Sequence, residues 1–256
     1  MVDLVGEGTP EQAWQNWREL AGQPKLRMPA PPATAVVIAP HPDDEVLGVG
    51  GLLSLLTRAG TKIHIVYLTD GEASHPKSPT LNPQELATRR IAESKRARAI
   101  LGLNGAVVQR LGLPDGNVRR AESYSGQTTA AVMRILAHTS AHGPAWCLAP
   151  WTGDGHPDHA AAGQAAITAA GVTARMLAYP VWMWNRAEPG DTRVPWWKIR
   201  RVLLPDDVRD AKRAAAAAFE TQVQPLSDDP ADAAILPPPI LARLTRDVEF
   251  VFELDQ

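Results

Sequence analysis

The sequence is short of the features that would direct a chain to a membrane, a nucleic acid or an oxidising compartment. It has a single cysteine, Cys147. One thiol allows no intrachain disulfide, which fits a reducing cytoplasm. Charge of one sign is equally scarce: 26 Lys and Arg against 28 Asp and Glu leave a net −2, with no long run of either sign. That balance gives no electrostatic case for a nucleic-acid partner or an anionic membrane surface. No apolar run is long enough to span a bilayer. The opening stretch, MVDLVGEGTPEQAWQNWREL, lacks the basic start and long apolar core of a signal peptide. No internal repeat is present. What remains is 256 residues, 45% hydrophobic and 21% charged, enough to bury one full core. The expectation is one cytoplasmic domain over 1–256, with a homo-oligomer left open.

Short β-branched runs alternate with segments of helical pattern. Strands are expected at 35–39, 63–69, 106–111, 145–149 and 199–204, and helices at roughly 45–59, 83–102, 126–141, 158–170 and 206–223. The first strand, AVVIA, is apolar throughout, as in a parallel sheet covered on both faces. Gly60 and Gly102 sit where helices should stop. The alternation predicts an α/β, Rossmann-like fold with a mostly parallel sheet and helices on both faces. An N-terminal extension (1–33) reads as a helix, with Thr9 as N-cap, Pro10 in the first position, Gln12 closing a capping box, and Trp14, Trp17 and Leu20 on one face. The C-terminal part (180–256) is decorated by a tryptophan-rich segment (182–197), a proline-rich loop (225–240) and an alternating strand pattern at 247–254.

Sheets of this class bind ligands beyond the C-terminal ends of their strands. Four polar segments fall there: His41 to Glu45 of APHPDDEVLGVGG, then LTDGEASHP (68–76), LGLPDG (111–116) and APWTGDGHPDH (149–159). His41 and Asp44, three apart with a proline between, can converge from one tight turn on zinc or a similar divalent ion. His156 and His159, one helical turn apart, offer a third ligand. Of the neighbours Asp43 and Asp44, one can ligate while the other takes a proton from the attacking water. Each motif alone has a plainer reading: a lone His after a strand is usually structural, and acidic residues favour helix N-termini. Glu45 is expected to serve as such a helix start. Asp158 is either another or a carboxylate that orients a neighbouring imidazole. His64, His138 and His142 are read as structural. Two H-P-D segments at two strand ends carry the site.

APHPDDEVLGVGG and PWTGDGHPDH resemble the paired signatures of the PIG-L/LmbE-like family of metal-dependent de-N-acetylases. The likeness runs in order over roughly 34–224 and includes LTDGEAS, RRIAESKRARAILGL and LGLPDG. It implies a Rossmann-like fold and removal of acetyl groups from N-acetylglucosamine-type amino sugars on small glycoconjugates. The implied ligands of Zn2+, with Fe2+ as another divalent candidate, are His41, Asp44 and His159. The resemblance makes Asp43 the general base and His156 the residue that stabilises the tetrahedral intermediate, preferably as imidazolium. Arg90 and Asp115 match residues that contact sugar hydroxyls. Trp151, Trp182 and Trp184 are candidates to cover a pyranose ring, against the simpler use of tryptophans in packing. Four other readings compete. A non-catalytic sugar-binding or regulatory homologue, or a deacylase of a non-sugar amide, would share the motifs. A phosphoesterase is disfavoured by the few basic neighbours. An oxidoreductase is disfavoured because GVGG opens no dinucleotide fingerprint.

Overall fold

The computed structural model describes residues 8–28, 30–118, 122–140, 143–171 and 173–254. Seven strands form one sheet: β1 (Thr34–Ala39), β2 (Lys62–Tyr67), β3 (Val107–Arg110), β4 (Ala145–Pro150), β5 (Ala174–Tyr179), β6 (Ile199–Leu203) and β7 (Val248–Glu253). Their order is β3-β2-β1-β4-β5-β7-β6. Pairing is parallel from β3 through β5 and antiparallel from β5 to β7 and from β7 to β6. This is the expected α/β class with a mostly parallel sheet.

All six residues of β1 are buried, because alternate side chains feed two separate cores. Val37 and Ala39 pack on one face with Ile65 and Tyr67, while Val36 and Ile38 pack on the other with Val66 and Leu68. The central strand β1 pairs with β2 on one side and β4 on the other. The strand order therefore reverses at β1 and β4, which opens a crevice beyond their C-terminal ends.

The helices are α1 (Glu11–Asn16), α2 (Arg18–Ala21), α3 (Asp44–Arg58), α4 (Pro83–Ile100), α5 (Glu122–Ser140), α6 (Pro157–Ala170), α7 (Met183–Arg186), α8 (Asp206–Ala217), α9 (Glu220–Val223) and α10 (Pro238–Leu244). Local chemistry sets their ends. Asn82 and Glu85 form a capping box at the start of α4, and Gly60 and Gly102 turn the chain with φ of +90° and +77°. No described helix is long and apolar enough to cross a membrane.

The structure departs from the expectations, or adds to them, at several places. Thr9 does not cap a helix: its Oγ1 donates to Ala187 O at 2.6 Å, Pro10 takes the N-cap place without a side-chain bond, and Gln12 bonds Asn16 instead. The helix then breaks at Trp17. β5 is a strand the pattern did not predict, since ARMLAY is poor in β-branched residues and is held as a strand by burial between β4 and β7. The single helix expected over 206–223 is two, α8 and α9, parted at Phe219 with ψ 61°. The 225–240 stretch holds a 3-10 turn (Pro230–Asp232), whose Asp232 accepts from Thr80 and Ser227, so this loop is pinned to the 74–80 segment. His142 lies outside the described residues.

Most of the tryptophans are used in packing. Trp14 stands 5.1 Å from Trp184, edge to face, and Trp17 stands 4.6 Å from Trp196. Trp151 packs on Phe252 at 4.8 Å, and Trp182 is buried. Among the four of the 182–197 segment only Trp197 is largely exposed, at 73%.

Candidate active site

The chain leaves β1 at Ala39 and turns through Pro40-His41-Pro42-Asp43 into α3. The turn is closed from both sides. The Asp43 N–H donates to His41 O at 3.0 Å, and the His41 N–H donates to Asp44 Oδ2 at 2.9 Å. The second bond draws the Asp44 carboxylate back beside the imidazole, with His41 Nδ1 3.1 Å from Oδ2. From the other side of the crevice, the loop after β4 leads into α6, where Pro157 takes the first position and His156 is the N-cap. One turn on, His159 places Nε2 3.2 Å from Asp44 Oδ1. Asp44 thus stands between two histidines from two strand ends.

Two carboxylates fix the far nitrogens of those rings. Asp154, fully buried, accepts the N–H groups of Val181, Trp182 and Met183 and lies 2.7 Å from His159 Nδ1. Asp115 Oδ1 lies 3.0 Å from His41 Nε2, and its Oδ2 accepts the Ala73 N–H. Imidazoles backed by carboxylates in this way are typical of metal ligands. Asp154 is a residue the sequence analysis missed, although it stands in the quoted GDGHPDH segment. Asp158, considered for this orienting part, accepts from Gly116 and Val118 N–H at 2.8 and 3.1 Å and lies a little farther from His41, with Oδ2 3.5 Å from Nε2.

Among the described residues, two sets could hold a divalent ion: His41, Asp44 and His159, all buried, and His41, His156 and Asp158. The donor chemistry fits the first better. The Nε2 of His159 is buried and has no well-aligned hydrogen bond, only the Asp44 carboxylate beside it, whereas the Asp158 carboxylate and the His156 Nδ1 are already engaged by backbone N–H groups.

Asp43 belongs to neither set. Its Oδ2 accepts from Arg90 Nη2 at 2.9 Å. The same guanidinium donates to Gly71 O and Pro42 O, and Arg90 is 3% exposed. This approach needs Gly71, since a Cβ there would lie 2.2 Å from Arg90 Nη1 and the φ is +71°. Arg90 therefore faces inward onto Asp43. Glu45 stands in the first turn of α3 as expected, but buried: it accepts the Asp43 N–H at 3.2 Å and accepts from Tyr67 Oη at 2.5 Å.

Burial and charge separate the titrations. Burial raises Asp43 to about 7, against the opposing pull of Arg90. His159 is raised to about 9: burial works against its charge, but Asp44 and Asp154 outweigh it. His41 is raised in the same sense, with burial outweighed by Asp115, Asp158 and Asp44. His156 falls to about 3 through burial and the charges of His41 and His159. A histidine raised to about 9 in the fold, from about 6.5 unfolded, contributes stability that is fully present below 6.5 and lost as pH rises through 9. Chelator-treated protein should thus melt at lower temperature at pH 9 than at pH 6.5. A ligating imidazole must be neutral, so metal uptake in this window should release protons. Calorimetric titration in two buffers of different ionisation enthalpy reads that release; none at pH 7 would contradict the assignment.

Fold and site together define a class: an α/β protein with a buried His/Asp cluster, able to hold a divalent ion, at its sheet's switch point. Residues 36–170, more than half of the chain, match the family described as PIG-L, GlcNAc-PI de-N-acetylase, and the chain belongs to that family. It is 32% identical over 133 residues to diacetylchitobiose deacetylase of Thermococcus kodakarensis, covering 52% of this chain and 47% of that protein. It is 27% identical over 222 residues to the 1D-myo-inositol 2-acetamido-2-deoxy-alpha-D-glucopyranoside deacetylase of Corynebacterium diphtheriae, covering 74% and 76%. A conserved protein of Thermus thermophilus shares the fold with a TM-score of 0.54 and 26% identity, covering 74% of this chain and 80% of that one.

Proposed function

We propose that the protein is a zinc-dependent amidohydrolase that removes the acetyl group from an N-acetylglucosamine-type amino sugar. The observation that carries the reading is the buried His159 Nε2, 3.2 Å from Asp44 Oδ1 and without a well-aligned hydrogen bond, its other nitrogen backed by Asp154. His41, Asp44 and His159 would hold the ion. Zinc bound there supplies Lewis-acid polarisation of the amide carbonyl and acidifies the attacking water.

The rest is done by side chains. Asp43, with its pKa near the operating pH, accepts the proton of the attacking water. It then returns the proton to the amine nitrogen as the C–N bond breaks and acetate leaves. Arg90 aims this carboxylate, and Asp115 aims His41. His156 serves as hydrogen-bond donor to the carbonyl oxygen as negative charge develops there. Its Nδ1 accepts the Asp158 N–H at 3.1 Å, so the proton of the neutral ring sits on Nε2. Burial, first among the causes that lower its pKa, favours the neutral ring, which donates through that Nε2–H.

His156→Ala should keep metal and lose about 10²–10³-fold in kcat, the usual cost of one oxyanion donor. Metal loss in this variant, with retention in His159→Ala, would reverse the two roles.

The names of the two curated relatives support an acetylated amino sugar as substrate. The packed tryptophans and inward Arg90 leave room for a second reading, deacylation of a non-sugar amide. The test is amine release by zinc-reconstituted protein from N-acetylglucosamine, its β-linked disaccharide and an N-acetyl-lysine peptide. The sugars should turn over faster. A faster peptide would overturn the sugar reading, and no release from any substrate would overturn the activity.

A further inference from the structure

The helix that delivers Asp44 is not continuous. Val49, with φ −141° and ψ 18°, breaks α3 after its first turn and a half. In an unbroken helix the N–H groups of Gly51 and Leu52 would bond the carbonyls of Leu47 and Gly48. Here the Gly51 N–H donates to Glu249 Oε1 at 2.7 Å and the Leu52 N–H to Oε2 at 2.8 Å. The Leu47 carbonyl accepts from Lys212 Nζ at 2.9 Å, and Lys212 closes the loop on Glu249 Oε1 at 2.6 Å. The carboxylate caps the start of the rear part of the helix, and the ammonium caps the end of the front part, each with the sign that its helix end favours.

Both side chains come from the C-terminal third, Lys212 from α8 and Glu249 from β7, and they are 2% and 1% exposed. A buried ion pair is costly to desolvate and is weak evidence for stability. Its retention suits a geometric task. Gly51 makes the approach feasible, since a Cβ there would lie 3.0 Å from Glu249 Oε1 and closer still to Leu204.

We propose that Lys212 and Glu249 are positioning residues: they splint the break in α3 and so set the direction of the segment that presents Asp43 and Asp44 to the metal. The proposal rests on the metal reading above. It gives the C-terminal decoration a part in the site, although neither residue touches the His/Asp cluster.

The test compares zinc affinity and amide hydrogen exchange in the full-length wild type and in the double variant Lys212→Met, Glu249→Leu. A merely structural role would lower the melting temperature without moving the zinc affinity of the folded protein. The splint predicts a folded double variant whose zinc Kd, read by competition with a chromophoric chelator, rises by about tenfold, the lower end for outer-shell changes. The amides of Gly51 and Leu52 should exchange at least tenfold faster. Should the double variant fail to fold, Glu249→Gln keeps the volume and one acceptor, and its Kd should rise several-fold. A folded variant with wild-type zinc affinity overturns the splint alone. Wild-type protein that binds no zinc overturns the metal reading and, with it, this role.

Discussion

Replacing Asp43 by asparagine is expected to slow amide hydrolysis by about 10²–10⁴-fold while leaving the metal in place. Asparagine keeps the size of the side chain and an oxygen that can accept from Arg90 Nη2, so the turn should hold. The change removes only the basicity. Neither candidate ligand set contains Asp43, so the ion count per chain should not move. The pH profile offers a second check. Wild-type kcat/KM should rise with pH through a limb near 7, where the buried carboxyl ionises, and the variant should lose that limb. Near-normal turnover, or an unchanged limb, would give the base's work to another residue.

His159→Ala should lose metal and activity together, and by more than the roughly 10–100-fold in affinity typical of outer-shell changes. The side chain is fully buried and is the only imidazole whose Nε2 faces Asp44 Oδ1 among the described residues. The fold should survive its loss, since Asp154 keeps three backbone N–H donors from Val181, Trp182 and Met183. Elemental analysis after reconstitution, beside circular dichroism, separates metal loss from unfolding. Stoichiometric metal in the variant would point to the set of His41, His156 and Asp158 instead.

The parts of the site that local chemistry determines were legible in the sequence. An apolar strand running into His41-Pro42-Asp43-Asp44, and Pro157 just ahead of His159, give both turn and spacing from neighbours in the chain, and the fold follows from the alternation of elements. The parts set by distant partners were not legible. Asp154 gains its role from backbone groups 27 to 29 residues away. The inward aim of Arg90 depends on a missing side chain at Gly71. The place of Glu45 at a helix start was legible, but its burial was not, because its partner, Tyr67, lies on the neighbouring strand. β5 carries too few β-branched residues to announce itself, and the break in α3 is satisfied by side chains about 165 and 200 positions on.

The most direct measurement is anomalous diffraction at the zinc edge from crystals of the zinc-reconstituted protein. The account predicts one strong peak per chain within bonding distance of His41, Asp44 and His159, with the Asp43 carboxylate and the His156 ring beside it but outside the ligand set. No peak at this cluster, or a peak held by His41, His156 and Asp158 with His159 Nε2 left unligated, would contradict it.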